Sequence, residues 1–378
     1  MNRDLHPVAR LPEEWEAELV VLGQRRYRAA QVFRWIHGRG VLDPAAMTDL
    51  PLPLRAALAE TGLEPPGKVV QVHRAEDGTR KLLVELADRC RVECVLIPTT
   101  SEPDAIAAAA DEHDAARTLL QPATLCVSTQ YGCAMGCVFC ASGRAGLGRG
   151  LQAEEIVVQV LLARRYLDPH ETLQNVVFMG MGEPLHHYEE TARALRLLMH
   201  EQGANLSARR ITVSTVGLVP GIRRLGRDFE GKVGLAISLH ASDDDTRSRL
   251  VPINRRYPVG DLVRALREYP LPRRRRITIE YTLIEGVNDS PLHARDLARL
   301  LRGIPVKVNL IPLNVVKGSP FVAPSAQGVR AFQAVLCDAK MSCFVRTRRG
   351  DDVAAACGQL AIRGDSTVAL RATKLTQS

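Results

Sequence analysis

A chain of 378 residues is long enough for one large α/β core and a smaller accessory domain. Its apolar share, 46%, is ordinary for a soluble globular protein, and the absence of any apolar run of about 18 residues excludes a helical membrane span. The formal net charge of +8 fits a polyanionic partner such as nucleic acid, and fits equally a basic enzyme that binds none.

Residues 13–60 read as short helices, broken at Gly38-Arg39-Gly40 and Pro51-Leu52-Pro53. Within them Arg25-Arg26-Tyr27-Arg28 leads into Val32-Phe33-Arg34-Trp35-Ile36-His37. This patch reads either as an RNA-contacting face or as helix core beneath a solvated row of arginines. Residues 67–97 alternate apolar and polar about Asp77-Gly78, which predicts a β-hairpin over 68–72 and 81–86 and a third strand over 91–97. Residues 99–121 turn rich in Ala and Asp and read as an exposed, poorly packed insertion. From residue 122 the chain alternates strand and helix. Strands are predicted at 125–129, 175–179, 210–215, 233–239, 277–283 and 306–311, with helices at 153–166, 188–200, 262–268 and 292–302. Six such units predict an α/β fold with a parallel sheet closed or partly closed into a six-stranded (β/α) barrel, whose chemistry lies just beyond strand C-termini. The expected division is a helical domain at 1–64, a β-hairpin extension at 65–98, the insertion at 99–121, the barrel at 122–345 and a C-terminal segment at 346–378.

The nine cysteines make an odd count. The first residues carry no apolar stretch of signal-peptide type. Together these point to a reducing, cytoplasmic setting. Three cysteines, Cys133, Cys137 and Cys140, form a C-x₃-C-x₂-C run just after the first predicted barrel strand. Three thiolates can hold three corners of a [4Fe–4S] cluster and leave one iron open for a ligand. The other reading is a zinc site completed by Cys126 or a histidine. The second strand ends in Gly180-Met181-Gly182-Glu183-Pro184, where glycines let a ligand approach the backbone and Glu183 can accept from an ammonium group. Cys90, Cys94, Cys337 and Cys343 read as small buried hydrophobes. Basic runs at Arg273-Arg274-Arg275-Arg276 and Arg346-Thr347-Arg348-Arg349 suit phosphate contact, although the first also reads as a solvated loop.

The cysteine triplet with Gly-Glu-Pro resembles the radical S-adenosylmethionine (radical SAM) superfamily. The finer sequence resembles the RlmN/Cfr family of RNA adenine methyltransferases. The likeness runs through Leu125–Gln130, Ile211–Thr215, Ala236–Ala241, Arg249–Asn254, Glu280–Asp289, Val308–Asn314 and Arg349–Leu360, and covers nearly the whole chain outside the insertion and tail. It implies a [4Fe–4S] cluster on Cys133, Cys137 and Cys140. S-adenosyl-L-methionine would be held by Gly182, Glu183, Ser214, Ser238, Leu239, His240 and Asn314. It implies methylation of an adenosine of 23S ribosomal RNA, at carbon 2 first, with transfer RNA as a second candidate, and it turns the 25–39 patch of the 1–64 domain in favour of RNA contact. Carbon 2 of adenine is electrophilic and offers no lone pair, so direct transfer from a sulfonium fails. The resemblance implies a detour in which Cys357 first takes a methyl group, for which a thiolate is suited. A 5′-deoxyadenosyl radical then activates that methyl. Glu93 would accept the ring proton, and Cys126 would resolve the RNA adduct through a transient disulfide with Cys357. A monomer served by an electron donor such as flavodoxin or ferredoxin is implied, with no membrane partner. Two other functions stay open from sequence: methylation at carbon 8 of the same adenosine, and a non-catalytic, metal-dependent RNA-binding protein. The chain departs from the family pattern at the insertion, Cys94, His186-His187 and Val315, which leaves an altered substrate open.

Overall fold

In a computed structural model the described residues are 5–99, 120–316, 318–347, 349–350 and 352–360. The Ala/Asp-rich stretch, apart from its ends, and the last eighteen residues, 361–378, fall outside them. The N-terminal part folds into short helices, among them Pro12–Val21, Arg28–Phe33 and Leu52–Ala59. Trp15, Leu19, Phe33, Leu54 and Leu58 are fully enclosed between them. Each such side chain contributes about 2 kcal/mol on leaving water. Phe33, Trp35 and Ile36 belong to this core, while Arg25, Arg26, Tyr27, Arg34 and Arg39 are exposed. The aromatics of the basic patch are therefore packing residues, except Tyr27.

Ten strands form one sheet: β1 (Gly67–Arg74), β2 (Arg80–Leu86), β3 (Arg91–Pro98), β4 (Gln121–Cys126), β7 (Glu171–Phe178), β8 (Ile211–Thr215), β9 (Gly234–Ser238), β10 (Ile277–Leu283), β11 (Val306–Pro312) and β12 (Ser342–Val345), neighbouring in that order. A separate antiparallel pair, β5 (Gln130–Gly132) and β6 (Leu147–Gly150), frames the cysteine loop. β4 and β7–β12 run parallel, and β1–β3 continue the sheet antiparallel from β4. The six expected barrel strands are present within a few residues of their expected bounds. β12 is a seventh parallel strand, not expected from the sequence. It has four residues and a single buried one, Cys343, too short for a period-2 signal. The expected hairpin extension is the near edge of the barrel sheet itself.

Period-2 alternation along the strands builds the barrel interior. On β10, Ile277, Ile279, Tyr281 and Leu283 are fully buried in the apolar core, whereas Thr278, Glu280 and Thr282 line internal cavities. On β11, Val308 and Leu310 join the core, while Lys307, Asn309 and Ile311 face inward. The helices behind these strands, including Ala153–Ala163, Tyr188–Met199, Val259–Arg267 and Pro291–Leu300, cover the outer face. Among the described residues no helix is long and apolar enough to cross a membrane.

Candidate active site

At the C-terminal ends of the parallel strands lies a cleft of about 1020 Å³. Cys133, Cys137 and Cys140 line it, on the loop between β5 and the short helix Ala141–Ala145. That loop is held by its backbone. Cys133 N donates to Gly146 O at 2.9 Å, Val138 N to Leu250 O at 3.1 Å and Cys140 N to Cys137 O at 3.2 Å. Gly143 has to be glycine, because a Cβ there would lie 2.8 Å from the Cys137 backbone. Burial raises all three thiols, that of Cys133 to about 12. Such thiols need a metal to draw off their protons. Ligands of one tetrahedral zinc lie ~3.8 Å apart, given Zn–S near 2.3 Å. Among the described residues, Asp168, His170 and Glu171 are the group of three whose ligand atoms all fall within 4.8 Å of one another. The three thiols lining one cleft, with an open side toward it, suit a cluster held at three corners.

Across the cleft the strand ends form a polar cradle. Gly180 and Gly182 press so close to the chain after β4 that a Cβ would lie 2.6 Å from Ser128 Oγ or Gln130 Cβ, and Gly182 has φ +106°. Glu183 is 2% exposed, and its carboxylate accepts from Leu185 N at 3.1 Å and Val216 N at 2.9 Å. Burial outweighs these bonds and lifts its carboxyl to about 7. Ser214 Oγ and Ser238 Oγ are 3.5 Å apart. His240, at φ +60°, accepts at Nδ1 from Thr282 N at 3.0 Å and meets Phe139 edge-on, with ring centroids 4.9 Å apart. Burial keeps it neutral, its pKa lowered to about 3. Asn314 donates from Nδ2 to Cys357 O at 3.0 Å, while its buried Oδ1 has no partner. A carboxylate, two hydroxyls, close glycine backbone and an orphaned amide oxygen fit a ligand that carries an ammonium group and sugar hydroxyls.

Residues 127–298 match a family model of the radical SAM superfamily, and residues 13–62 match the ribosomal RNA large subunit methyltransferase N-terminal domain. A protein of Sorangium cellulosum described as "Dual-specificity RNA methyltransferase RlmN" is 60% identical over 377 residues, 95% of this chain and 96% of that one. The chain belongs to the RlmN family of radical SAM proteins. A relative of the same description from Anaeromyxobacter dehalogenans is 46% identical over 96% of this chain and 94% of its own length. The crystal structure of a radical SAM methyltransferase from Sphaerobacter thermophilus superposes with a TM-score of 0.84, at 45% identity, over 94% of this chain and 99% of that one.

This RlmN-family chain brings Cys357 into the same cleft as the cluster-type triplet. Cys357 is open to solvent through the cleft yet ringed by protein. Burial raises its thiol, and the nearby Arg346 guanidinium opposes that rise. All nine cysteines are free, Cys126 and Cys357 included. Cys126 ends β4, and its thiol, raised chiefly by burial, also feels the charge of Cys357. Glu93 lies on β3, two residues from Val95, the partner of Cys126 across the strand pair, so Glu93, Val95 and Cys126 share one sheet face. Its carboxylate pairs with Lys81 Nζ at 3.1 Å, both side chains nearly fully buried. Lys81 Nζ also donates to Ala354 O at 3.4 Å, three residues before Cys357.

Of the sequence-nominated cradle residues, Gly182, Glu183, Ser214, Ser238, His240 and Asn314 line the cleft, whereas Leu239 sinks into the apolar core. Cys94 and Cys343 are buried as expected, but Cys337 is exposed and Cys90 half-buried. Arg247 escaped notice in the sequence. It is fully buried, donates to Leu239 O at 2.9 Å, Asn254 Oδ1 at 2.8 Å and Val216 O, and its charge counters the rise of the Cys137 thiol. In the sequence it stands in the polar run Asp243-Asp244-Asp245-Thr246-Arg247-Ser248-Arg249, where nothing local distinguishes it from a surface residue.

Proposed function

We propose that the protein is a radical SAM RNA methyltransferase that adds a methyl group to carbon 2 of an adenosine in 23S ribosomal RNA and in transfer RNA. One observation carries this reading: the cluster-type triplet and Cys357, far apart in sequence, line one cleft. When bound on Cys133, Cys137 and Cys140, the [4Fe–4S] cluster together with S-adenosyl-L-methionine supplies an electron and a carbon-centred radical. Gly182, Glu183, Ser214, Ser238, His240 and Asn314 hold the sulfonium ligand. Cys357 takes a methyl group as a thiolate, a state the Arg346 charge favours. It then carries that carbon to the base. Glu93, kept in reach by Lys81, accepts the ring proton. Cys126 then attacks the Cys357 sulfur, the bond from that sulfur to the base-borne carbon breaks, the carbon keeps the electron pair and takes a proton to become the methyl group, and a transient Cys126–Cys357 disulfide is left. The names of the relatives, which act on RNA with dual specificity, support the two RNA classes.

The test is anaerobic reconstitution of the full chain with iron and sulfide. The protein then receives S-adenosyl-L-methionine, a reductant and either a ribosomal RNA fragment or a transfer RNA. Nucleosides are identified by mass and chromatography. 2-Methyladenosine from both RNAs is expected. 8-Methyladenosine overturns the regiochemistry, and no methylated base in either RNA overturns the function.

A further inference from the structure

The barrel interior carries two unlike cavities that share part of their lining. The cleft at the C-terminal ends holds the cysteines. A second cavity of about 1290 Å³ opens at the N-terminal ends of β7–β11, and Met179 and Glu280 line both. Among the described residues its wall carries Arg209, Arg210, Arg274, Arg275, Arg276 and Lys307 and one carboxylate, Glu280; Arg209, Arg210 and Lys307 also have partners of their own. The cations crowd one another. Burial chiefly lowers the Lys307 ammonium, and Arg346, Arg275 and Arg276 lower it further. Burial likewise lowers Arg275, with Arg209 adding to it. Like charges gathered about a cavity favour an anion there.

A second observation stands deeper in this cavity. Asn309 is 1% exposed and lines this cavity. It lies opposite Glu280 in the β10–β11 register, and its Nδ2 donates to Glu280 Oε1 at 3.0 Å. That bond fixes which way the amide faces. Asn309 Oδ1 is left buried with no partner. A buried, unpaired acceptor in a cavity wall calls for a ligand that brings the donor. Glu280, its neighbour, reaches the cleft that Cys357 lines.

We propose that the target nucleotide enters by the N-terminal mouth, with its phosphates on the arginine cluster and the exocyclic amino group of the adenine donating to Asn309 Oδ1. This rests on the RNA methyltransferase reading above and adds to it a route and a base-reading residue. Phosphate contacts position the strand, and the amide reads the base. The C-terminal mouth is left to the cluster loop and the sulfonium ligand. Adenine alone among the common purines combines an amino group at carbon 6 with a free carbon 2, so one acceptor at that amino group selects the right base.

The test uses the full-length holoprotein and RNA fragments carrying either adenosine or purine riboside at the target. Purine riboside keeps carbon 2 and lacks the amino group. A site built to accept from that group should turn over the purine at least about tenfold less efficiently than adenosine in kcat/KM. In Asn309→Leu the two substrates should converge, because only the amino group of adenosine is deprived of its acceptor. Equal rates for both substrates in the wild-type protein overturn the base-reading role. So does an undiminished adenosine preference in Asn309→Leu. The second arm needs no turnover. Binding of a labelled RNA fragment by Arg275→Ala/Arg276→Ala should depend less steeply on salt, its log–log slope falling by about 1 for each phosphate left without its arginine. An unchanged slope overturns the route. Failure of the wild-type protein to methylate any RNA overturns the parent reaction, and the base-reading role with it.

Discussion

The loop that carries Cys133, Cys137 and Cys140 and the loop that carries Cys357 face one cleft but are built in opposite ways. The first is held mostly by neighbours in sequence, Gly143 against Cys137, Gly146 against Cys133 and Cys140 against its own helix, with Val138 N on Leu250 O as a long-range tie. The second is pinned from afar. Gly350 N donates to Asp77 Oδ2 at 3.0 Å, Glu76 N to Asp352 Oδ2 at 3.2 Å, Lys81 Nζ to Ala354 O, and Asn314 Nδ2 to Cys357 O. Ala141 N donates to Gly358 O at 2.8 Å and so ties the two loops together. On the proposed function, the site that would hold a cluster in fixed geometry is made mostly locally. The cysteine that would receive a methyl group, meet a base and then be released sits on a loop clasped by the β1–β2 hairpin.

Replacing the local loop's ligands should have the largest effect. Cys137→Ala is expected to abolish RNA methylation and the iron–sulfur absorption of the reconstituted protein. Its far-ultraviolet circular dichroism should stay that of the wild type, since the sheet does not depend on the cluster. A variant that keeps both iron and activity would contradict the assignment. Cys126→Ala comes next. Turnover should fall on the order of 100-fold or more, the usual scale for losing a positioned catalytic group. An RNA–protein adduct stable to denaturing gels should accumulate, and free turnover would remove Cys126 from the resolving role.

The contrast also explains what the sequence disclosed. The cysteine spacing, Gly180–Glu183 and the βα rhythm are short-range patterns, so the barrel and half of its site were legible from residue types alone. Cys357 was not. Standing alone it reads as a small buried hydrophobe, and only resemblance gave it a role, because its partners lie on β2, in the β1–β2 turn and at Asn314. The same holds for the Lys81 partnership of Glu93, which depends on strand register. Leu239 shows the reverse case: its place in a recognisable run nominated it as a ligand contact, and alternation along the chain turns its side chain into the core, which leaves its backbone to make any such contact.

Breaking the clasp separates the two loops more finely. Lys81→Met leaves Glu93 as a buried carboxylate without this ion pair, a change expected to cost about 3–5 kcal/mol in denaturant unfolding. It also frees Ala354 O. Methylation of RNA should fall further than methylation of Cys357, read by mass spectrometry of the intact protein. An equal fall in both would make Lys81 a purely structural residue.

The smallest expected effect lies at the tip of the hairpin. Asp77 accepts from Thr79 N at 2.9 Å and from Gly350 N at 3.0 Å, and so ties the turn to the start of the Cys357 loop. Burial pushes its carboxyl up, but these bonds and the Arg349 charge outweigh burial and hold it below the usual 3.8. A carboxyl whose folded value is depressed stabilises fully above the unfolded value and loses that contribution as pH falls through the folded value. Asp77→Ala should therefore cost about 1 kcal/mol at neutral pH, the ordinary worth of such hydrogen bonds. The gap from wild type should close as the solution is acidified through the folded carboxyl value, below which Asp77 is protonated in both states. Cys357 methylation should slow only a few-fold, because Lys81, Asn314 and Ala141 still hold the loop. A gap that persists unchanged into acid would place the effect in the turn itself rather than in the charge that clasps Gly350.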